Sequence, residues 1–277
     1  MYGWSIGSRR CGQGREIAGL VRIRLVLILF GIGLCSVSCR RHEEMNRSGS
    51  EDSPKTPQIA ADFHVQGFRV RFQTGNESFD ENTYLVFDQA SKQGVIIDPG
   101  GRSEDLERFI ESQGISIKAI LNTHGHSDHT GANGLYRVKY RTDVYAHEAD
   151  SPLFTKEDNK PTKWFDHEGD YTIGNTKLRV FFTPGHTPGS ACFLFGNYLF
   201  SGDTLFRETI GRTSDATEFA TLVSNIKKKL FQLPASTIVY AGHDESSTIG
   251  HEMESNLFLR DGPTGSEDTV APSRSAR

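Results

Sequence analysis

Three imidazoles and one carboxylate fall within six consecutive residues, His124-Gly125-His126-Ser127-Asp128-His129. Imidazole nitrogen and carboxylate oxygen are donors that borderline divalent cations such as zinc accept, and alternate residues at the mouth of a strand can converge on one point. A catalytic metal also keeps open coordination positions and recruits donors from distant parts of a chain. Further candidates sit in short glycine-containing segments: His186 in Pro184-Gly185-His186-Thr187-Pro188-Gly189, Asp203 in Ser201-Gly202-Asp203-Thr204, and His243 in Ala241-Gly242-His243-Asp244. The chemistry open to such a set is hydrolysis by a metal-activated water, which needs no side-chain nucleophile.

Hydrophobic periodicity indicates what must carry these residues. Strand-like runs at 68–72, 83–87 and 95–97 precede the turn Asp98-Pro99-Gly100-Gly101. A helix follows, with Ser103 as N-cap, Glu104 and Asp105 at the positive end of its dipole, an apolar stripe of Leu106, Phe109 and Ile110, and Gly114 as the stop. A strand at 117–121 runs directly into the histidine cluster, Ser127 is expected to cap a short helix toward Tyr136, and 143–146 is the next strand. The second half repeats the scheme. The run 178–182 leads into the His186 loop, 192–195 and 198–200 lead into Asp203, and 237–240 delivers His243. Phe219, Leu222, Val223, Ile226 and Leu230 mark an amphipathic helix whose solvated side should carry Lys227, Lys228 and Lys229. Each candidate ligand follows a strand, so the set is expected at one end of the sheets, where open α/β folds place their sites.

In combination these residues resemble the metallo-β-lactamase fold superfamily. Four landmarks occur in order: Thr123-His124-Gly125-His126-Ser127-Asp128-His129, Pro184-Gly185-His186-Thr187-Pro188-Gly189, Gly202-Asp203 and Gly242-His243. Within the superfamily, Ile97-Asp98-Pro99-Gly100-Gly101, Ile210-Gly211-Arg212-Thr213 and Ser247-Thr248-Ile249-Gly250-His251-Glu252 resemble the short hydrolases related to type II glyoxalase, the hydroxyacylglutathione hydrolases. The resemblance implies an α/β fold, an αββα sandwich of two mixed β-sheets flanked by helices. It implies a dinuclear centre in which His124, His126 and His186 hold the first metal, Asp128, His129 and His243 the second, and Asp203 bridges them. The expected cofactors are two divalent metal ions, zinc with iron or manganese as alternatives. The expected reaction is attack of a metal-bound hydroxide on a small thioester or related acyl substrate. Asp128 would orient that hydroxide or ligate the second metal, and Asp98 would accept a hydrogen bond from a ligand imidazole.

Two departures bear on the substrate. Full-length type II glyoxalases carry an additional C-terminal helical domain that grips glutathione, whereas this sequence runs out soon after Leu259, so glutathione specificity does not carry over with the resemblance. Asp244 stands where the short subgroup commonly has glycine, and the His-Asp pair resembles the persulfide dioxygenases, which use a single iron. The competing functions are therefore a persulfide dioxygenase-like mononuclear iron enzyme, a β-lactam hydrolase, and a non-catalytic metal-binding lipoprotein.

With 277 residues, 36% hydrophobic and 24% charged, the chain is long enough to bury a full core. The net charge is −4, and Arg9, Arg10, Arg15, Arg22, Arg24, Arg40 and Arg41 lie near the N-terminus, leaving a body too acidic for a general nucleic-acid binder. The apolar run 25–34 is too short to span a bilayer, which takes about 20 apolar residues. Residues 1–39 therefore read as an export signal of lipoprotein type. Ser36-Val37-Ser38-Cys39 resembles the bacterial lipobox, although Ser36 stands where that pattern prefers leucine. An uncleaved membrane anchor is the competing reading. Residues 40–62 are expected to be a flexible linker, 63–261 the folded domain and 262–277 a disordered tail. The expected location is outside a bacterial cytoplasm, with membrane association through the lipid.

Of the four cysteines only Cys192 lies in the body, where its apolar neighbours mark it as a buried hydrophobe. His42, His64, His167 and His251 read as surface or packing residues, and His147 as a capping or packing residue. Arg212 is open to substrate contact or a structural pair, and the aromatic residues of 164–171 to a cleft-side loop or the core.

Overall fold

Alternation of apolar side chains decides which way each strand faces, and the computed structural model shows the outcome for residues 63–74 and 77–260. These lie in one compact unit. The expected signal segment 1–39, the linker 40–62 and the tail 262–277 fall outside the described residues.

The chain opens with β1 (Phe63–Thr74), β2 (Glu77–Asp88) and β3 (Gln93–Ile97), then α1 (Glu104–Gln113) and β4 (Ser116–Leu121). Next come α2 (Ser127–Thr130), α3 (Asn133–Tyr140), β5 (Asp143–His147) and β6 (Lys163–Phe165). The second half comprises β7 (Gly169–Ile173), β8 (Thr176–Phe182), β9 (Ala191–Phe195), β10 (Tyr198–Gly202), β11 (Leu205–Phe206) and β12 (Thr209–Ile210). It closes with α4 (Ala216–Lys229), β13 (Ile238–Ala241), β14 (Ser247–Thr248) and α5 (Ile249–Ser255). One six-stranded sheet runs in the order β1-β2-β3-β4-β5-β6, and a second in the order β14-β13-β10-β9-β8-β7. Both are mixed: β3, β4, β5 and β6 pair in parallel, as do β10 and β13, while the other pairs are antiparallel.

The pleat sorts these strands into layers. Val86, Val95, Ile97, Ala119 and Leu121 of the first sheet meet Leu178, Val180, Phe193, Phe195 and Phe200 of the second in one buried cluster. Their strand neighbours Leu85, Phe87, Ile96, Ile120 and Val144 point the other way, onto Leu106, Ile110 and Tyr136 of α1 and α3. Cys192, Leu199 and Val239 likewise pack on Leu222, Ile226 and Ile249 of α4 and α5. Helix, sheet, sheet, helix is the expected αββα sandwich.

Local signals held in α1, where the Ser103 hydroxyl accepts from the Leu106 N–H and Gly114 closes the helix at φ +64°. They did not hold in the next helix. His126, not Ser127, is the N-cap residue, and the helix breaks after Thr130 to restart at Asn133. The cause is tertiary: the Ala132 N–H is taken by the Pro99 carbonyl at 2.8 Å. Lys229, expected on a solvated face, instead reaches Glu168 at 2.7 Å and the Phe182 carbonyl at 2.6 Å. Of the aromatic residues near 164–171, Phe165 is buried between the sheets, whereas Trp164 is partly exposed.

Candidate metal centre

Five strand ends converge on one rim: β3 delivers Asp98, β4 the histidine cluster, β8 His186, β10 Asp203 and β13 His243. At the end of β10, Gly202 adopts φ +49°, and a Cβ there would lie 2.2 Å from the Thr123 hydroxyl, so glycine alone fits.

The converging nitrogens form two groups. His124 Nε2 and His186 Nε2 each lie 3.0 Å from His126 Nδ1. In the second group, Asp128 Oδ2 lies 3.7 Å from His129 Nε2 and 3.4 Å from His243 Nε2. Asp203 lies between the groups, its Oδ2 3.5 Å from His186 Nε2 and its Oδ1 3.4 Å from His129 Nε2. All seven residues expected from the sequence to be ligands are therefore brought together.

Four of the imidazoles are held by hydrogen bonds on their far side. His129 Nδ1 donates to Asp98 Oδ2 at 3.1 Å, His186 Nδ1 to the Arg212 carbonyl at 2.7 Å, and His243 Nδ1 to the Asp80 carbonyl at 2.7 Å. The Thr123 hydroxyl donates to Asp98 Oδ2 at 2.5 Å, which leaves its lone pair to accept from His124 Nδ1 at 3.1 Å. With Nδ1 protonated, each Nε2 turns a lone pair inward, the arrangement that metal-binding histidines adopt.

Burial and charge act differently on these imidazoles. His124 is fully buried, and burial followed by the neighbouring imidazoles holds its pKa well below the ordinary value. Burial also opposes charge on His129, yet Asp203, Asp98 and Asp128 outweigh it and push its pKa well up. Burial would raise Asp128, but His243 and His129 bring its carboxyl down to about 2. The pocket therefore concentrates negative charge that calls for a cation. Among the described residues, the buried His129 Nε2 and Asp203 Oδ1 have no hydrogen-bond partner. A cation fits both facts: nitrogens 3.0 Å apart are spaced like neighbouring ligands on bonds of about 2.1 Å.

The centre opens into a cavity of about 910 Å³. Phe206, Ile210 and Phe258 give it an apolar side, and Arg207, Arg212, Glu208 and Asp244 a charged one. Arg212 is exposed there rather than held in a buried pair. His147 caps the turn after β5 by accepting from the Ala149 N–H at 3.1 Å, and His64 stacks on Phe87. His167 is exposed beside Asp166, and His251 pairs with Glu208 at 2.9 Å. His42 lies outside the described residues. Sequence reading missed Thr123, Asn82 and Asp150. Asn82 braces the His243 loop, donating from Nδ2 to the carbonyls of Ala241 at 3.1 Å and Asp244 at 2.9 Å.

Comparison with known proteins agrees with this geometry. The model of the metallo-beta-lactamase superfamily matches residues 78–243. Hydroxyacylglutathione hydrolase GloC of Haemophilus influenzae is 34% identical over 200 residues, covering 66% of this chain and 94% of that protein. The crystal structure of BLEG-1 B3 metallo-beta-lactamase has a TM-score of 0.59 at 34% identity, covering 69% of this chain and 99% of the other. That of TTHA1623 in a di-iron-bound form has a TM-score of 0.58 at 32% identity, covering 69% and 100%. The match to the family model spans more than half of the sequence and includes all seven converging side chains, the last of them, His243, at its final residue: the chain belongs to the metallo-beta-lactamase superfamily.

Proposed function

We propose that this protein is a dinuclear metal-dependent hydrolase acting on small thioesters. The observation that carries the reading is the position of Asp203 between the two groups, its Oδ1 3.4 Å from His129 Nε2 and its Oδ2 3.5 Å from His186 Nε2 and 3.7 Å from His243 Nε2. His124, His126 and His186 would hold one cation, Asp128, His129 and His243 the other, and Asp203 both. Bound divalent cations would supply a water acidified to a pKa of roughly 7 and an electrophile for the carbonyl oxygen.

The protein's own residues supply orientation and access. The far-side hydrogen bonds fix four imidazoles in the tautomer that points a lone pair inward. Asp128, ionised at neutral pH, accepts a hydrogen bond from the attacking water and so aims it. Phe206, Ile210 and Phe258 offer a dry surface for the acyl group, while Arg207 and Arg212 offer donors to an anionic thiol moiety. The similarity to a hydroxyacylglutathione hydrolase supports a thioester as substrate. The di-iron neighbour supports iron beside zinc, since imidazole and carboxylate suit both.

A second reading, β-lactam hydrolysis, draws on the likeness to BLEG-1. Turnover of a panel of acyl thioesters beside nitrocefin, by protein loaded with zinc or iron, separates the two. Thioester hydrolysis should dominate, and nitrocefin as the better substrate would overturn the proposal. Asp203→Ala should lose about one metal per chain and roughly a thousandfold in kcat/KM; full metal content with full activity would refute the bridging role.

A further inference from the structure

Asp150 is fully buried in the turn after β5, and neither the motif pattern nor the seven converging side chains include it. Its oxygens are all used. Oδ2 accepts from the Gly125 N–H at 2.8 Å and from the Thr187 hydroxyl at 2.8 Å, while Oδ1 accepts from the Gly189 N–H at 2.6 Å. Gly125 lies between His124 and His126, and Thr187 directly follows His186. One carboxylate thus ties together the two loops that supply the three-imidazole group.

The fit is close on both sides. A Cβ on Gly125 would lie 3.2 Å from Asp150 Cβ, and one on Gly189 would lie 2.6 Å from Asp150 Cγ. The donors are all neutral, and among the described residues no cationic side chain forms an ion pair with Asp150. A buried carboxylate held only by neutral donors is costly unless its acceptors are needed. An amide could not replace it, because its NH₂ would face another N–H. None of these contacts reaches Asp128, His129 or His243, whose loops are braced by Asp98, Asp80 and Asn82.

We propose that Asp150 is the positioning residue of the three-imidazole site, clamping the His124–His126 and His186 loops at the spacing one divalent cation requires. The inference rests on the dinuclear reading above. It adds that Asp150 supports the first site alone, whereas Asp98 reaches both, His129 directly and His124 through Thr123, so the first site can be weakened without the second.

The test uses the full chain and Zn²⁺ alone, with affinities measured by chelator competition. A His243→Ala background isolates the first site, and a His186→Ala background the second. Asp150→Asn should weaken the first site by roughly 10- to 100-fold and leave the second within about threefold of its parent. Thr187→Val removes one of the three bonds, so it should give a smaller loss confined to the first site if Asp150→Asn fails to fold. Cobalt-loaded protein should show the same selectivity as a changed visible band from the first site only. Glu107→Gln, remote from the centre, serves as a control for general loss of stability and should move neither affinity. The proposal is overturned if Asp150→Asn and Thr187→Val leave the first site unchanged, or weaken both sites equally. If the parent chain takes up no zinc, the dinuclear reading itself falls and the proposal with it, an outcome distinct from unselective weakening.

Discussion

Asp98 sits at φ +48°, in the left-handed region that few non-glycine residues enter. The surrounding bonds hold it there. Its Oδ1 accepts from the Thr123 N–H at 2.8 Å, and its Oδ2 accepts from the Thr123 hydroxyl and from His129. Strain at a strand end is sustained because one carboxylate sets two imidazoles, His129 directly and His124 through Thr123. Asp98→Asn should therefore weaken zinc binding at both groups, at the second by roughly 10- to 100-fold, with little change in the fold; equal zinc affinity by chelator competition would show that the carboxylate is dispensable. Its role was foreseeable from the Asp-Pro-Gly-Gly turn, and the seven converging residues from donor type and spacing. Asp150, Thr123 and Asn82 were not legible. They act on backbone groups of other loops, and an acceptor for a distant N–H leaves no periodic mark in a sequence.

At the level of elements, strands that end at the centre were the readable ones, because each is a buried apolar run closed by a glycine-containing segment. The antiparallel pair β1 and β2 is 12 residues on each side, far longer than its apolar runs. Polar partners such as Arg71 and Asp80, paired at 3.2 Å, continue the ladder where hydrophobic alternation stops. The two-residue strands β11, β12 and β14 are too short for any period to register. They matter nonetheless. Buried Glu252 of α5 accepts from the Glu208 N–H at 2.9 Å and from Asn256 Nδ2 at 2.8 Å, and bonds the Ser247 hydroxyl. It thereby holds the β11–β12 turn, where Glu208 takes φ +61°, as a wall of the cavity. Glu252→Gln should destabilise the protein by about 1–3 kcal/mol. It should raise KM roughly three- to tenfold while kcat stays within about twofold, and steady-state kinetics giving an unchanged KM would remove this residue from the wall.

Across the molecule, most ion pairs are exposed and contribute little individually. The group around Glu107 differs because it joins α1 to α3. Glu107 receives Arg102 Nε at 2.9 Å and Lys139 Nζ at 2.7 Å, and these partners, Arg102 foremost, bring its carboxyl from 4.5 down to about 2. A carboxyl whose pKa is depressed by folding stabilises above the unfolded value and loses that contribution as pH falls through the folded one. Glu107→Gln should therefore cost about 1 kcal/mol at neutral pH. The gap to the parent should close as pH drops from about 4.5 toward about 2, as measured by urea midpoints; a gap independent of pH would mean that packing, not charge, is responsible. Overall layering was legible because it follows from strand and helix periods. Where one sheet hands over to the other was not, since β6 and β7 are short edge strands with little apolar patterning.

That handover, at residues 166–168, divides the centre between the two halves of the sandwich. Each proposed cation takes two donors from the N-terminal sheet and a third from the C-terminal one, with Asp203 added from the latter. Neither half owns a complete set. The ions would act as a clasp across the seam, loading only after the halves have docked, and a gap opened between the sheets would dissolve the centre before either sheet had begun to melt.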